Sequence, residues 1–341
     1  MNILVTGGAG YIGSAAAQAL LSAGHTVTVF DNLSHGHHAA VPTDARFVRG
    51  DLMDRLLLAD LLSHEAYDAI MHFAAYIEAG ESMKDPGSFF RNNVVGSLNL
   101  IEEGVRHGVR LFVLSSTAAI FSGSDQPLNE DSLIQPANVY GETKLMVERM
   151  LGWYGTVHGL RHASLRYFNA AGAMPDRGEA HQPESHIIPR VLSVAQDRME
   201  SFSLFGTDYA TPDGTCIRDY IHIADLVSAH LLVMDALKMH NALAYNLGTG
   251  TGYSNRQVVK VARAVTCHRI PVKELPRRTG DAPRLVASSE KIRRELGWAP
   301  ARSFEEALER TVRWYVENKR WWQRVKSGEY REYYQKQYGN R

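Results

Sequence analysis

Cysteine, net charge and long apolar segments are all scarce in this sequence, and each absence narrows what the chain can be. Only Cys216 and Cys267 occur in 341 residues, too few for a disulfide framework and typical of a reducing compartment. The 37 Lys and Arg residues balance 37 Asp and Glu residues, so no strong field attracts nucleic acid or an anionic membrane. No apolar run reaches the roughly 18 residues of a transmembrane helix. We therefore expect a cytoplasmic protein that binds neither nucleic acid nor membrane.

A strand, a glycine-rich turn and a helix follow one another at the start of the sequence. Asn2–Thr6 is a short apolar β-type run, four glycines lie between Gly7 and Gly13, and Ile12–Leu21 is a small-residue helix pattern. In a dinucleotide-binding fingerprint such glycines let the backbone approach a pyrophosphate at the helix N-terminus. The next strand ends in Asp31, whose carboxylate can bind a ribose and would repel a 2′-phosphate. The sequence therefore predicts NAD rather than NADP. Because the strand starts at residue 2, we expect no signal peptide.

Strand-like and helix-like segments alternate along the first half of the sequence. We predict further strands at Thr26–Phe30, Arg46–Arg49, Asp68–Phe73, Arg110–Ser115 and His162–Phe168, and helices at Arg55–Ser63, Phe89–His107 and Val139–His158. This alternation predicts an α/β fold with a doubly wound parallel sheet (Rossmann), which binds ligands at the carboxyl ends of its strands.

The pattern changes after residue 169. From Ala170 to Gly214 we predict loops rich in glycine, proline and histidine around one helix, Ile187–Asp197, whereas Tyr245–Gly248 looks like a returning strand. We expect an NAD-binding Rossmann domain over 1–168, rejoined by a strand near 244–248. A smaller, discontinuous C-terminal substrate-binding domain should span 169–341, with the final segment Ser327–Arg341 on the surface.

Tyr140 and Lys144 stand four residues apart in a predicted helix, so they share one helix face. A free phenol has a pKa of about 10 and is a poor base at neutral pH. A nearby ammonium favours the phenolate and lowers that pKa toward the range that acid–base catalysis needs. Ser115, Ser116 and Thr117 close a predicted strand, where a hydroxyl can lie beside Tyr140. The sequence therefore predicts a Ser/Thr–Tyr–Lys triad.

Long motifs give the chain its family resemblance. It resembles the extended short-chain dehydrogenase/reductase superfamily and, within it, the UDP-glucose 4-epimerase family. The motifs are VTGGAGYIGS at the start, DNLS from Asp31, GDL from Gly50, HFAA from His72, GES from Gly80, RNNVVGSLNL from Arg91, VYGETKLMVE from Val139, LRYFNAAGA from Leu165, DYATPDGTCIRDYIHIADL from Asp208, YNLGTGTGYS from Tyr245 and PRRTGD from Pro276.

The resemblance implies a reaction for the triad. Tyr140, as a phenolate, would take the proton of the sugar 4-hydroxyl while NAD⁺ accepts the hydride from C4. Lys144 would hold the cofactor ribose and lower the tyrosine pKa, and Thr117 would bind the reacting oxygen. The 4-ketosugar would then turn over about its pyrophosphate linkage and take the hydride back on its other face. NAD should therefore stay tightly bound, and a homodimer through the helices Phe89–His107 and Val139–His158 is expected.

The resemblance also implies which residues bind the ligands. Those expected at the cofactor are Gly7, Gly10, Tyr11, Ile12, Gly13, Asp31, Asn32, Asp51, Leu52, Phe73, Ala74, Ala75, Asn93, Ser115, Tyr140, Lys144 and Tyr167. Those expected at the UDP-sugar are Thr117, Asn169, His186, Phe205, Arg218, Arg278, Asp281 and Leu285. Asn169 and Arg218 would contact the diphosphate, Phe205 the uracil, and Leu285 the 2-position substituent of the sugar. Arginine suits bidentate phosphate recognition.

The sequence departs from the family pattern at three places. Ile77, with Glu78 beside it, replaces a lysine that commonly touches the cofactor ribose. Ile120–Gly123 differs from the usual valine-tyrosine-glycine. Ser185–Pro189 stands where many members have two asparagines before a leucine-isoleucine-proline-like run, and the imidazole of His186 can replace an amide donor there.

Two further observations separate this chain from its superfamily relatives and from metalloproteins. Sugar-nucleotide dehydratases and decarboxylases place acidic residues directly after the strand-end hydroxyl, whereas Thr117 is followed here by Ala118, Ala119 and Ile120. The histidines of His35–His38 lack cysteine or carboxylate partners at ligand spacing, so we expect no metal. The expected substrates are UDP-glucose and UDP-galactose. The alternatives are a 4-epimerase of UDP-N-acetylhexosamines or UDP-pentoses, and a non-catalytic NAD-binding regulatory protein.

Overall fold

The computed structural model describes residues 1–175, 177–179, 186–196, 199–278 and 280–318. Its strands are β1 Asn2–Thr6, β2 Thr26–Asp31, β3 Arg46–Arg49, β4 Ala69–His72, β5 Leu111–Thr117, β6 Arg161–Tyr167, β7 Asn169–Ala171, β8 Phe202–Phe205, β9 Ile217–His222, β10 Ala242–Leu247, β11 Gly252–Ser254, β12 Val272–Leu275 and β13 Arg284–Leu285. Its α-helices are α1 Tyr11–Ser22, α2 Arg55–His64, α3 Ala79–Ser82, α4 Pro86–Phe89, α5 Gly96–Arg106, α6 Val139–His158, α7 Ile187–Ala195, α8 Ile223–Ala236, α9 Asn255–Thr266, α10 Glu290–Leu296 and α11 Phe304–Glu317.

Seven of these strands form one parallel sheet in the order β10-β6-β5-β4-β1-β2-β3. The central strands β4 and β5 are buried along their whole length, because helices cover both faces, and they are apolar except at their carboxyl ends. The predicted doubly wound sheet is therefore confirmed. The predicted strands of the first half all occur within one or two residues of their expected bounds, and β10 joins the edge strand β6.

Two apolar layers hold the helices on the sheet. On one face the buried alanines Ala15 and Ala16 of α1 let that helix approach α8, where they meet Ile223 and Val227. On the other face α2, α5 and α6 pack beside one another over a second apolar cluster. This cluster includes Leu58, Leu100 and Leu151, which have no exposed surface. Because all the strands run the same way, their carboxyl ends open at a single edge between these layers.

The predicted helix Phe89–His107 is more complex than its periodicity indicated. Phe90–Val95 forms a π-helical segment between α4 and α5. The wider turn carries Asn93 inward, where it is 1% exposed. A helical pattern in the sequence does not distinguish such a segment from a regular α-helix, so the prediction located the helix but not its wide turn.

The residues after 169 build a second layer above the carboxyl ends of the first sheet. A small sheet has the order β11-β9-β13 with β7 paired to β9, and β8 pairs with β12. A separate apolar cluster joins α7, α9 and α11. The one helix expected between Ala170 and Gly214 occurs as α7, but the expectation that loops form the rest of that stretch is wrong, since β7 ends and β8 lies within it. Ser185, Asp197 and Ser327–Arg341 lie outside the described residues. The domain boundaries stay a prediction.

One buried carboxylate anchors this second layer. Asp219 of β9 has no exposed surface and accepts backbone hydrogen bonds from Thr249, Gly250 and Ala287 at 2.9, 2.9 and 3.1 Å. Its backbone carbonyl accepts from the Asn169 amide at 3.0 Å. Within the described ranges no helix is long and apolar enough to cross a membrane.

Candidate active site

A cavity of about 1080 Å³ lies between the carboxyl ends of the large sheet and the second layer. Its wall contains all the residues expected at cofactor or substrate except two, Asn93 and Lys144. The structure therefore gathers residues from nearly the whole chain, between Gly7 and Leu285, around one space.

The glycine turn after β1 forms one end of this cavity. Gly7 has a φ of 73°, and a Cβ there would lie 2.5 Å from the backbone nitrogen of Ala74. A Cβ on Gly13 would lie 2.2 Å from the Gly7 carbonyl oxygen. Only glycine permits these approaches, so the backbone of α1 begins directly beneath the cavity floor. This cradle fits a dinucleotide pyrophosphate, which such glycine turns accept at a helix N-terminus.

Asp31 lies at the end of β2 beside this turn. Its two carboxylate oxygens accept backbone hydrogen bonds from Ala9 at 3.0 Å and Leu33 at 2.8 Å. Burial raises its pKa, and these two hydrogen bonds oppose the rise. Next to it the Asn32 amide donates to Asp51 at 2.9 Å. These polar groups at the ends of β2 and β3 fit an adenosine ribose, and the carboxylates disfavour an additional phosphate.

Tyr140 stands in the first turn of α6, on the cavity wall next to Thr117. Burial raises the pKa of the Tyr140 phenol to about 12, the hydrogen bond with Thr117 opposes this, and the carboxylate of Glu78 adds to it. Without a bound ligand the phenol is therefore a weak acid. A positive charge in the cavity is needed to bring it toward a catalytic pKa.

Lys144 lies one turn further along α6, behind the wall. The side chain is 2% exposed, and its Nζ donates to the Ser115 carbonyl at 2.9 Å. Burial lowers its pKa to about 8, and the Glu148 carboxylate opposes that shift. Ser115 Oγ is also hydrogen-bonded to the Tyr167 hydroxyl. The ammonium is thus fixed to the end of β5, on the same helix face as Tyr140.

Gly141 allows α6 to pack directly against the turn that follows β5. A Cβ on Gly141 would lie 2.1 Å from the Ala119 carbonyl oxygen, so α6 touches the turn that follows Thr117. The Asn138 side chain caps the helix by accepting from the Gly141 N–H at 2.9 Å. This close contact at Gly141, the glycine of the YGETK motif, places the Tyr140 and Thr117 side chains together.

Asn93 braces the same helix from behind rather than facing the cavity. Its amide nitrogen donates to the Tyr76 carbonyl and to Thr143 Oγ1, both at 3.0 Å, and its oxygen accepts from the Tyr76 N–H at 2.8 Å. Asn92, which the sequence analysis did not select, is the neighbour that lies on the wall.

The other end of the cavity carries the predicted substrate residues. Arg278 stacks over the Phe205 ring, with 5.0 Å from guanidinium carbon to ring centroid, and donates to Asp281 at 3.0 Å. An Arg218 nitrogen lies 3.8 Å from the same carboxylate. Two guanidinium groups beside an aromatic ring suit a nucleoside diphosphate. Asp281 lies between these two arginines, since it accepts a hydrogen bond from Arg278 and forms an ion pair with Arg218.

His186 and Leu285 complete this end. His186 precedes α7, and its Nδ1 lies 2.8 Å from a Glu179 carboxylate oxygen. Leu285 belongs to β13 and packs against an apolar cluster that contains Phe121. Phe121 lies in the segment Ile120–Gly123, which differs from the family pattern. The His186 and Leu285 side chains both line the cavity.

Two residues of the cavity wall were not predicted from the sequence as binding residues. Arg190, in the first turn of α7, has no acidic partner among the described residues, and its buried Nε has no hydrogen-bond partner there. Glu78 was noted only as a neighbour of Ile77, whereas the structure turns its carboxylate toward Tyr140 and His35. Neither residue has a local pattern that predicts this, because each approaches the cavity through tertiary packing.

In the part of the chain that the structure describes, no group of three or more His, Cys, Asp or Glu side chains is arranged to hold a metal ion. His35 instead lies 3.8 Å from Glu78 and 5.5 Å, centroid to centroid, from the Tyr76 ring.

The chain is similar to known proteins over most of its length. Residues 3–248 match the Epimerase model, described as the NAD dependent epimerase/dehydratase family. A UDP-glucose 4-epimerase of Corynebacterium glutamicum is 47% identical over 301 residues, covering 88% of this chain and 91% of the relative. A UDP-glucose 4-epimerase of Halalkalibacterium halodurans is 46% identical over 323 residues, covering 93% and 96%.

A solved structure shows the same fold. The crystal structure of the UDP-glucose 4-epimerase of Brucella ovis, in complex with NAD, superposes with a TM-score of 0.86 at 42% identity, covering 91% of this chain and 96% of that one. This chain therefore belongs to the NAD dependent epimerase/dehydratase family, alongside the UDP-glucose 4-epimerases to which it is similar.

Proposed function

We propose that this protein inverts C4 of a UDP-hexose, interconverting UDP-glucose and UDP-galactose with NAD held in the protein. One observation carries the proposal. Tyr140 and Thr117 lie on the wall of a single cavity, between a glycine cradle at one end and Arg218, Arg278 and Phe205 at the other. Similarity to UDP-glucose 4-epimerases supports the same reaction.

The cofactor end has the chemistry that NAD needs. Gly7 and Gly13 leave room for the pyrophosphate, and Asp31 accepts ribose hydroxyls. We assign Lys144 of the triad, held at the end of β5, to the nicotinamide ribose. When bound, NAD supplies a hydride acceptor and donor at the substrate carbon.

The chain itself handles the proton. Tyr140 removes it from the sugar 4-hydroxyl and returns it when the opposite configuration forms. The phenol, with its pKa of about 12 in the ligand-free cavity, becomes a base only when cations stabilise its ionised form. Lys144, whose Nζ donates to the Ser115 carbonyl, does not lower this pKa in the ligand-free cavity, contrary to the expectation from the sequence, so the charge must come from the bound cofactor. Thr117 supplies a hydrogen bond to the ionised oxygen. General acid–base catalysis of this kind contributes typically about 10²–10⁴-fold to the rate.

The substrate end keeps the sugar tethered while its ring turns over. Arg218 and Arg278 bind the diphosphate, and Phe205 lies against the uracil, so the 4-ketosugar can rotate about its linkage without leaving. The residues after Thr117 are Ala118, Ala119 and Ile120, which offer no carboxylate for eliminating water. Return of the hydride is then the remaining outcome, which favours epimerisation over dehydration.

We further propose that two copies associate through the helices around Phe89–His107 and Val139–His158. Four large apolar side chains on these segments are exposed: Phe90 at 36%, Val95 at 40%, Trp153 at 71% and Val157 at 66%. Pairing of two helices from each copy would cover them with two-fold symmetry. A cytoplasmic location fits the scarcity of cysteine. Light scattering that found only a 38.0 kDa species at micromolar concentration would contradict the dimer.

The activity is tested by incubating the purified protein with a panel of UDP-sugars and no added NAD. The panel contains UDP-glucose, UDP-galactose, the two N-acetylated hexoses and UDP-pentoses, and products are separated by chromatography. We expect interconversion of the two unsubstituted hexoses to be fastest. Absence of turnover on every sugar, with NAD present in the protein, would instead support the non-catalytic regulatory alternative.

A further inference from the structure

We propose that the buried ion pair between Glu148 and Arg166 is a positioning element of the active site, which holds Lys144 charged and fixed at the end of β5. This inference rests on the proposed function for its catalytic consequence. The pair lies outside the cavity wall and has no part in the reaction described above.

The geometry places the pair directly behind the catalytic lysine. Glu148 follows Lys144 by one turn on α6, and Arg166 lies on β6. Arg166 donates to the two carboxylate oxygens at 3.1 Å from Nε and 2.7 Å from Nη2, and both side chains are less than 10% exposed. Ser116 Oγ adds a third donor, at 2.5 Å. The carboxylate thus binds α6 to the ends of both β5 and β6.

Few other charges reach Lys144. On α6 itself the titratable neighbours are Tyr140 and Glu148. On β4 the neighbouring titratable group is His72. Burial and the Lys144 charge lower the pKa of His72 to about 3, so this imidazole is neutral. Arg166 and Tyr167 of β6 lie in register with Ser116 and Thr117 of β5, and β5 contributes only uncharged groups, Ser115–Thr117. Among the described residues, Glu148 is therefore the one carboxylate that raises the lysine pKa.

Arg166 also connects the pair to the cavity. Its guanidinium carbon lies 5.8 Å from the centroid of the Phe121 ring, which is 1% exposed and forms part of the wall. Phe121 belongs to the loop that departs from the family pattern. An arginine held by Glu148 can stabilise this loop through the ring, so the same pair supports two sides of the catalytic centre.

The test removes each charge in turn and follows the ionisation of Lys144. Glu148→Gln keeps the side-chain shape but leaves Arg166 unpaired, so the lysine pKa should fall by roughly one unit. Arg166→Met leaves an unpaired carboxylate and should raise it by a similar amount. The double variant lacks the carboxylate as well, so its lysine pKa should stay below the parent value, but above that of Glu148→Gln alone because the unpaired Arg166 charge is gone. The ionisation is measured by NMR titration of ¹³C-labelled lysine in the purified protein, where only nine lysines contribute and Lys144→Arg assigns the signal.

The alkaline limb of kcat for UDP-galactose should move in the same directions. A matched control is Asp225→Asn on α8, which breaks the ion pair between Asp225 and Arg302, whose atoms lie 2.5 Å apart. It should lower the melting temperature without moving the lysine titration. A pair that only stabilises the fold would lower the melting temperature in all variants and leave both pH readouts unmoved, which would overturn the proposal. If the titration moves and the parent protein has no activity, the positioning role stands and the proposed function fails.

Discussion

Gly141 gives the sharpest test of how the catalytic helix is seated. In Gly141→Ala the new Cβ would lie 2.1 Å from the Ala119 carbonyl oxygen, whereas real Cβ atoms essentially never approach within 3.0 Å. The neighbour is backbone, not a flexible side-chain end, so α6 or the turn after Thr117 must move by about 1 Å. Tyr140 precedes this glycine directly and moves with it.

A displacement of that size has a calculable effect. Misplacing a catalytic group by about 1 Å costs on the order of 10²-fold in rate, and forcing an extra methyl into a packed contact costs about 1–3 kcal/mol of stability. We therefore expect kcat for UDP-galactose to fall about 100-fold, while the affinity for UDP changes little because Arg218 and Arg278 lie at the other end of the cavity.

Gly152 supplies a control in the same helix. A Cβ at Gly152 meets nothing within 4 Å, so Gly152→Ala should gain about 0.5–1 kcal/mol of stability and retain the parent kcat. Initial rates, isothermal titration with UDP and thermal melting are measured on both variants. A folded Gly141→Ala protein with a kcat within threefold of the parent would refute the argument that this contact sets the geometry of the triad.

Three further outcomes are expected. Tyr140→Phe should lose about 10²–10⁴-fold in kcat while bound NAD and UDP-sugar affinity persist, and retention of a tenth of the rate would remove Tyr140 as the base. The protein should purify with NAD, found in the supernatant after denaturation, and a requirement for added NADP would contradict the role of Asp31. UDP-N-acetylglucosamine should turn over more slowly than UDP-glucose. Leu285→Tyr should worsen and Leu285→Ala should improve the kcat/KM ratio for the acetylated sugar, and unchanged ratios would exclude Leu285 as a steric gate.

Local patterns in the sequence sufficed for the cofactor half of the molecule. β1, its glycine turn, Asp31 and the four-residue interval between Tyr140 and Lys144 are each determined within a few neighbouring residues. Backbone conformation and helix periodicity depend on such short-range order. The fold class was therefore predictable.

The features that were missed depend on distant contacts. The second sheet uses strands as short as the two residues of Arg284–Leu285, which carry no periodicity of their own. Glu148 lies four residues after Lys144 on α6, but its partner Arg166 lies on β6, so the local sequence around Glu148 does not reveal the pair. Asn93 was assigned to the cofactor from its motif alone, and the π-helical segment turns it toward Tyr76 and Thr143.

The position of β10 in the chain has a consequence for biosynthesis. β6 is complete at Tyr167, but the strand that covers its open edge ends at Leu247, about 80 residues later. At translation rates of about 5–20 residues per second, the nascent chain exposes that unpaired edge for about 4–16 s. Unpaired edges are templates for aggregation, so a pause in translation between these strands should reduce the yield of folded protein more than a pause after Leu247.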